Sequence, residues 1–337
     1  MTGAAGAEPA AETWRVPEGA AGERLDRHVA ARLALPRNQV QQLIRDGRVQ
    51  LGGRDAKASA VLAGGETIAC RRAAPSETRV LPEPGALDVL YEDADLVVLD
   101  KPAGLSVHPG AGRQSGTLAH RLLARYPEMA GVGGPGRPGI VHRLDLGTTG
   151  AMVVARTAAA YAALSRDFAA RRVKKEYLAV CYGAPQPRAG TIEAPIARHR
   201  ERRQEMTVAH GGRPARTDYR TLAAPAGRGI ALLHLDLGTG RTHQIRVHLK
   251  SRGHPLVGDP VYGEARWRAL PRPQQPPLRD FPRPALHAWR LTVHHPQGDR
   301  ELHFTAGVPA DLRQLWEEVT GAGFPDVEKR PAAPTDR

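Results

Sequence analysis

Cysteine is almost missing from this chain: Cys70 and Cys181 are the only two in 337 residues, far apart and outside any CxxC spacing. That excludes a disulfide framework and a structural zinc knot, and it fits a reducing cytoplasm. Long apolar runs are missing too. No uninterrupted apolar stretch reaches about 18 residues, and the opening MTGAAGAEPAAETW has no basic region leading into an apolar one. Neither a membrane partner nor a secretory leader is expected. Phosphate-cradling glycine patterns are absent: there is no GxxxxGK[ST], and no GxGxxG follows a strand-like run. His243 and His248 stand five apart, which is not the spacing of a helical zinc pair. No nucleophile elbow and no Ser/His/Asp order stands out. Aromatics make up only 4%, so each Tyr and Trp carries more information about placement.

What the chain has in surplus is positive charge. Lys and Arg number 48 against 35 Asp and Glu, a formal net charge of +13. A surplus of this size suits a polyanion partner, most simply nucleic acid, because each neutralised phosphate releases condensed counterions. An arginine-rich coding bias would give the same balance. The apolar fraction of 41% is enough for a buried core, and the length accommodates a small domain beside a large one.

Composition divides the chain into five parts. Residues 1–12 and 319–337 read as disordered tails, 13–75 as a small α/β domain, 76–86 as a linker, and 87–318 as the larger domain. In the small domain, GERLDRHVAARLAL places Leu25, Val29 and Leu33 on one helical stripe. In PRNQVQQLIRDGRVQLGG, Val40, Leu43 and Ile44 form the apolar face, with Arg37, Gln41, Arg45 and Arg48 opposite. Gly47 is placed as a helix stop, and RVQLGGR reads as a strand and tight turn. From 22 to 72 there are ten Lys and Arg against five Asp and Glu, a net of +5. A basic helical face followed by a basic hairpin suits a contact that tracks an RNA backbone. A solvated helix face would show the same pattern. The ordered stretches RLDRHVA, RNQVQQLIRDGRVQLGGR and LAGGETI resemble the RNA-binding module shared by a ribosomal small-subunit protein and several RNA-modifying enzymes. The resemblance implies binding of structured RNA, and the basic face offers Arg37, Arg45 and Arg48 as contacts.

The larger domain mixes strand-like and helix-like segments. LDVLYEDADLVVLDKP reads as two strands around an acidic turn. AMVVAR, KKEYLAVCYG, TDYRTLA, ALLHLDLG and ALHAWRLTVHHP also have strand character. GTLAHRLLARYP, TAAAYAALSRDFAARR and GRTHQIRVHLKSRG have helical periodicity, and the Pro-rich LPRPQQPPLRDFPRP at 270–284 reads as a surface loop. The elements do not alternate strictly, so the expected fold class is α+β: a mixed, largely antiparallel central sheet with flanking helices.

Three residues sit in settings that could carry chemistry. Asp145 follows the apolar run GIV and precedes a turn permitted by Gly147 and Gly150. A carboxylate there is either a nucleophile for a sugar's anomeric carbon or a cap for the turn's own amides. Arg246 lies one residue off the apolar face of its helix, where it either points inward to keep a buried carboxylate ionised or faces solvent. Tyr177 sits mid-strand, the ordinary place of a core tyrosine.

GIVHRLDLGTTG, KEYLAV and GRTHQIRVHL, in that order, resemble the RluA/RluD family of pseudouridine synthases. LVVLDKPAGLSVHPG, RPARTDY, GHPLVGDPVYG and RPALHAWRLTVHHP extend the likeness over nearly all of 87–305. The small N-terminal domain is what the RluD-like branch, which acts on large-subunit ribosomal RNA, carries as well. The resemblance implies a sheet of the pseudouridine synthase type and an isomerase without metal or organic cofactor. It implies Asp145 as the residue forming an adduct with the target uridine, Tyr177 as the tyrosine against the base, and Arg246 as the partner of the aspartate. It implies Arg143 as the arginine that helps flip the uridine out, with His142, Arg241 and His243 as further substrate contacts. The partner implied is large-subunit ribosomal RNA or an assembly intermediate, met by a cytoplasmic monomer. The alternatives are the same chemistry on tRNA or another rRNA site, or a non-catalytic RNA-binding assembly protein. One departure stands out: Leu146 and Gly147 follow the aspartate where relatives more often carry Lys and an acidic residue.

Overall fold

The computed structural model describes residues 11–33, 35, 37–71, 80–110, 112–134, 136–202, 204–298 and 300–328. The chain divides into two compact units, Met1–Arg79 and Val80–Arg337.

In the first unit, β1 (Glu12–Arg15), α1 (Leu25–Leu33), α2 (Arg37–Arg45), β2 (Val49–Leu51), β3 (Arg54–Asp55) and β4 (Thr67–Cys70) follow in order. The strands form an antiparallel sheet ordered β1-β4-β2-β3. The expected stripe is buried, with Leu25 and Val29 fully inside against Val40, Ile44, Val49 and Ile68. The polar face differs from expectation at one point. Asp26 is buried, and Arg24, Arg37 and Gln41 all donate hydrogen bonds to its carboxylate. The Arg24 guanidinium first, then Gln41 and Arg37, hold this carboxyl far below its ordinary range against the cost of burial. Arg37 therefore neutralises a buried acid, whereas Arg45 and Arg48 have no carboxylate within ion-pair reach among the described residues.

The second unit is built on one sheet. Its elements are β5 (Val89–Glu92), β6 (Leu96–Lys101), α3 (Leu118–Arg125), β7 (Thr149–Ala155), α4 (Ala158–Ala169), β8 (Lys174–Tyr182), β9 (Ala189–Glu193), β10 (Ile196–Arg198), β11 (Met206–Val208), β12 (Arg216–Ala223), β13 (Ile230–Leu237), α5 (Gln244–Ser251), α6 (Gln275–Asp280), β14 (Leu286–His294), β15 (Glu301–Thr305) and α7 (Ala310–Thr320). The sheet runs β5-β6-β7-β14-β8-β13-β12-β9, with β15 also on β14. Only the β7–β14 pairing is parallel, so the sheet is mixed and largely antiparallel, as expected.

Alternation along the strands feeds three apolar clusters. Val97, Leu99, Tyr177, Ala179, Leu233 and Leu235 pack with α3 and α5 on one face. Leu178, Val180, Leu232 and Trp289 pack with α6 and α7 on the other, beside a third cluster built on α4.

The loose segments are shorter than composition suggests. Glu12 already pairs with Cys70 in β1. Val319 and Thr320 are buried at the end of α7, and Phe324 rests on Trp316 with ring centroids 6.2 Å apart. The described part of the expected 319–337 tail is therefore anchored by its own apolar side chains, and 1–10 and 329–337 lie outside the described residues. Of the expected linker, 76–79 is outside as well, and Val80 is buried in the larger unit. The Pro-rich 270–284 stretch is no surface loop throughout: it contains α6, and Leu278, Phe281 and Arg283 are buried.

Candidate active site

The segment leading to Asp145 exists because a sheet edge needs covering. β6 pairs with β7 along one side. On the other side β14 meets β7 only at Thr149 and Gly150, and farther along β14 pairs with β15 instead. The amides of Val153 and Ala155 would be left bare. GIVH fills the gap: Ala155 N–H donates to the Gly139 carbonyl at 2.8 Å, and Val153 N–H to His142 Nε2 at 3.1 Å. His142 thus serves as a strut of the sheet. Its ring stacks on Phe168 at 4.6 Å, and burial, helped by the Lys175 charge, pushes its pKa down to about 3, so it stays a neutral acceptor.

After this segment the chain turns at Asp145, whose carbonyl accepts from Thr148 N–H at 3.0 Å. The amide reading and the chemical reading of Asp145 separate here, because the turn is closed by the backbone and the carboxylate is left for other partners. The turn is pinned at both following residues. Gly104 N–H donates to the Leu146 carbonyl at 2.8 Å, and Arg283 Nη1 to that of Gly147 at 3.3 Å. A Cβ on Gly147 would lie 2.7 Å from Pro284 Cδ, which accounts for glycine at this position in this chain. The Leu146 side chain is exposed. Gly150 has φ +117°, and a Cβ there would sit 2.1 Å from the Ala288 carbonyl oxygen. That close approach lets Gly150, Ala288, Tyr177 and Leu235 form one row across the sheet.

Arg246 on α5 points inward. Its Nε and Nη2 donate to the two oxygens of buried Asp259 at 2.7 and 2.8 Å, and its Nη1 donates to Asp145 Oδ2 at 3.1 Å. Asp259 also accepts from the amides of Val261 and Tyr262. A fork held from one side thus presents a single N–H to the Asp145 carboxylate. Burial lowers the Arg246 pKa, but Asp259 and Asp145 outweigh it, so the guanidinium is held above its usual value. Tyr177 is buried, and burial first, then the Asp145 charge, pushes its ionisation well above the ordinary range. Its hydroxyl therefore stays a neutral phenol. His243 begins α5 with left-handed backbone, φ 55°, and its Nε2 is 3.9 Å from Asp145 Oδ2. Gln244 fixes the approach to α5: its Oε1 accepts from Thr239 and from Arg241 N–H, and its Nε2 donates to Arg216 O and Thr217 Oγ1.

Asp145, Tyr177, Arg246, Arg143, Arg241 and His243 line one cleft of about 110 Å³. Arg143 is exposed at its rim with no carboxylate in ion-pair reach among the described residues. Residue-by-residue reading missed Asp259, Tyr262 and Lys101, although each lies in a stretch that carries the resemblance. Lys101 is buried, donates to the carbonyls of Pro102 and Leu105, and is pushed down to about 8 by burial against the pull of Asp145. Outside the cleft, Asp93, Asp95 and His295, and also Glu176, His234 and Asp236, bring ligand atoms within 4.8 Å of one another. His248 is structural, bonded to Thr217 and Ala194.

A sequence pattern described as RNA pseudouridylate synthase matches residues 95–251, and the S4 domain pattern matches 23–68. Ribosomal large subunit pseudouridine synthase D of Xanthomonas campestris is 43% identical over 89% of this chain and 90% of its own length. The chain belongs to the RNA pseudouridylate synthase family. An uncharacterised RNA pseudouridine synthase of Chloroflexus aurantiacus is 46% identical over 90% of this chain and 92% of its own. Among solved structures, human RNA pseudouridylate synthase domain containing 4 superposes with a TM-score of 0.53 at 26% identity, over 69% of this chain and 92% of that one. The synthase is an isomerase that converts uridine to pseudouridine in RNA, and its first unit carries an S4 domain.

Proposed function

We propose that this synthase isomerises uridine in large-subunit ribosomal RNA, with Asp145 as nucleophile. The observation that carries the reading is the asymmetry of that carboxylate, which lines the cleft: Oδ2 is held by Arg246 at 3.1 Å, while Oδ1 accepts no hydrogen bond among the described residues. Oδ1 attacks the anomeric carbon C1′ of the flipped uridine, and the C1′–N1 bond breaks with its electron pair leaving on the uracil. The freed base turns, its C5 attacks C1′, and the carboxylate departs restored. Tyr177, held protonated, gives its proton to N1 and takes the one lost from C5, so the reaction is a net isomerisation. Arg246 keeps Asp145 ionised, and Arg143 at the rim helps fill the space that the flipped nucleotide vacates. Flipping costs a few kcal/mol and least in loops, which favours unpaired uridines as targets.

The ribosomal substrate is supported by relatives 41–43% identical across most of the chain that are named ribosomal large subunit pseudouridine synthase D. All the cleft residues come from one unit of one chain, which supports a synthase that works as a monomer. Its two free, buried cysteines suit a reducing cytoplasm, and no helix among the described residues is long and apolar enough to cross a membrane. Mapping pseudouridine in total RNA from cells with and without the gene tests the substrate. Large-subunit positions should vanish and return with the wild-type gene but not with Asp145→Asn. Loss confined to tRNA would move the substrate class, and full restoration by Asp145→Asn would remove the nucleophile.

A further inference from the structure

Beside the carboxylate lies an arrangement that neither ion pairing nor helix packing requires. His243 adopts φ 55° at the start of α5, a left-handed conformation that side chains rarely adopt unless the surroundings fix it. Its imidazole meets Tyr262, which is buried. The Tyr262 hydroxyl oxygen accepts from Met206 N–H at 2.7 Å and lies 2.7 Å from His243 Nδ1. Its ring packs edge-on to the imidazole at 5.5 Å and carries the Arg246 guanidinium 4.9 Å above its centroid. Its own amide donates to Asp259. One side chain thus touches both groups that face Asp145 Oδ2.

The proton count follows from donor chemistry. The phenol oxygen accepts the Met206 N–H, and among the described residues its O–H has one acceptor in reach, His243 Nδ1. Nδ1 must then be bare, and a neutral imidazole carries its proton on Nε2, the atom 3.9 Å from Asp145 Oδ2. We propose that Tyr262 is a positioning residue that locks His243 as the Nε2–H tautomer, and that this N–H closes on Asp145 Oδ2 when RNA fills the cleft, leaving Oδ1 as the attacking oxygen. The second part rests on the nucleophile reading above. A gap of 3.9 Å is long for a hydrogen bond, but such contacts tighten when substrate expels water. Protonating Nδ1 would turn the phenol proton toward no acceptor. Burial first, and then the nearby Arg246 and Arg143, also oppose the imidazolium, while Asp145 and Asp259 favour it; the balance is a lowered pKa.

Two substitutions at 243 separate this role from a backbone one. Asn tolerates left-handed φ better than Gln, but its amide reaches only the place of Nδ1, whereas the Gln amide reaches that of Nε2. With transcribed large-subunit ribosomal RNA as substrate, His243→Gln should keep kcat within about tenfold of wild type. His243→Asn should lose about a hundredfold in kcat with KM little changed. The reverse order would overturn the proposal and leave His243 a backbone residue. In long-range proton–nitrogen spectra at pH 8, His243 of the wild type should show Nε2–H and bare Nδ1. Tyr262→Phe, checked for folding by its melting curve, should mix the two tautomers and lower kcat. An Nδ1–H tautomer or an imidazolium in the wild type would sink the lock. Activity in Asp145→Asn would instead sink the nucleophile, with the tautomer result untouched.

Discussion

Arg246 directs two of its N–H groups at Asp259 and one at Asp145, so the residue that makes the Asp145–Arg246 pair rigid is Asp259, which lies outside the pair itself. Removing that support should do two things at once. Asp259→Ala leaves a buried guanidinium without its main partner and should lower stability by about 3–5 kcal/mol in urea unfolding. It should also lower turnover, because Arg246 no longer holds a fixed aim at Oδ2. The sign of the pH dependence follows from the depressed carboxyl of Asp259: burial raises it, and Arg246 and two backbone amides lower it by more. A carboxyl depressed in the folded state contributes stability above its unfolded pKa of about 3.9 and loses it as pH falls toward the folded value. The gap between wild type and variant should therefore be flat at neutral pH and narrow below about pH 4. A gap that widens on acidification would contradict the assignment. At this scale the sequence was informative about Asp145, Tyr177 and Arg246, whose motifs carry their order along the chain. It was silent about Asp259 and Tyr262, which matter only because a turn brings them under α5.

At the level of elements, the strands that form the middle of the sheet are legible because burial on both faces demands continuous apolar runs, as in VVLDK, YLAVCY and ALLHL. The short β10 and β11 have too few residues for a period to show, and α6 contains two prolines in six residues, which disguise it. Leu312, Leu315, Trp316 and Val319 of α7 do recur at helical spacing, but the Pro- and Gly-rich residues after them draw the boundary too early. The parallel contact between β7 and β14 joins residues 138 apart, such as Thr149 and His287, and no local pattern reports it. Yet that contact decides where Asp145 sits. Gly150→Ala tests it: the positive φ and the 2.1 Å approach to Ala288 O should cost at least about 2 kcal/mol and shift the thermal midpoint down. An unchanged midpoint would mean that β7 and β14 do not approach this closely in solution.

Across the whole molecule, the charge of +13 is a statement about association with a polyanion, and the first unit makes it specific enough to test. Three arginines there look alike in the sequence, but the fold divides them. Arg37 is bound to Asp26, whereas Arg45 and Arg48 have no acidic partner among the described residues. Only the latter two are free to replace counterions on RNA. The double variant Arg45→Ala, Arg48→Ala should therefore flatten the slope of log affinity against log salt by about 1.4 to 1.8, two phosphate contacts' worth, with little change in melting. Arg37→Ala should leave that slope nearly intact and lower the stability of the first unit by about 1 kcal/mol, since it weakens the network around a buried acid through a half-exposed partner. Filter-binding titrations on transcribed large-subunit RNA at several salt concentrations, read beside urea unfolding, separate the two outcomes. If all three arginines change the slope equally, the helix face works as one surface and the division imposed by Asp26 does not survive contact with RNA.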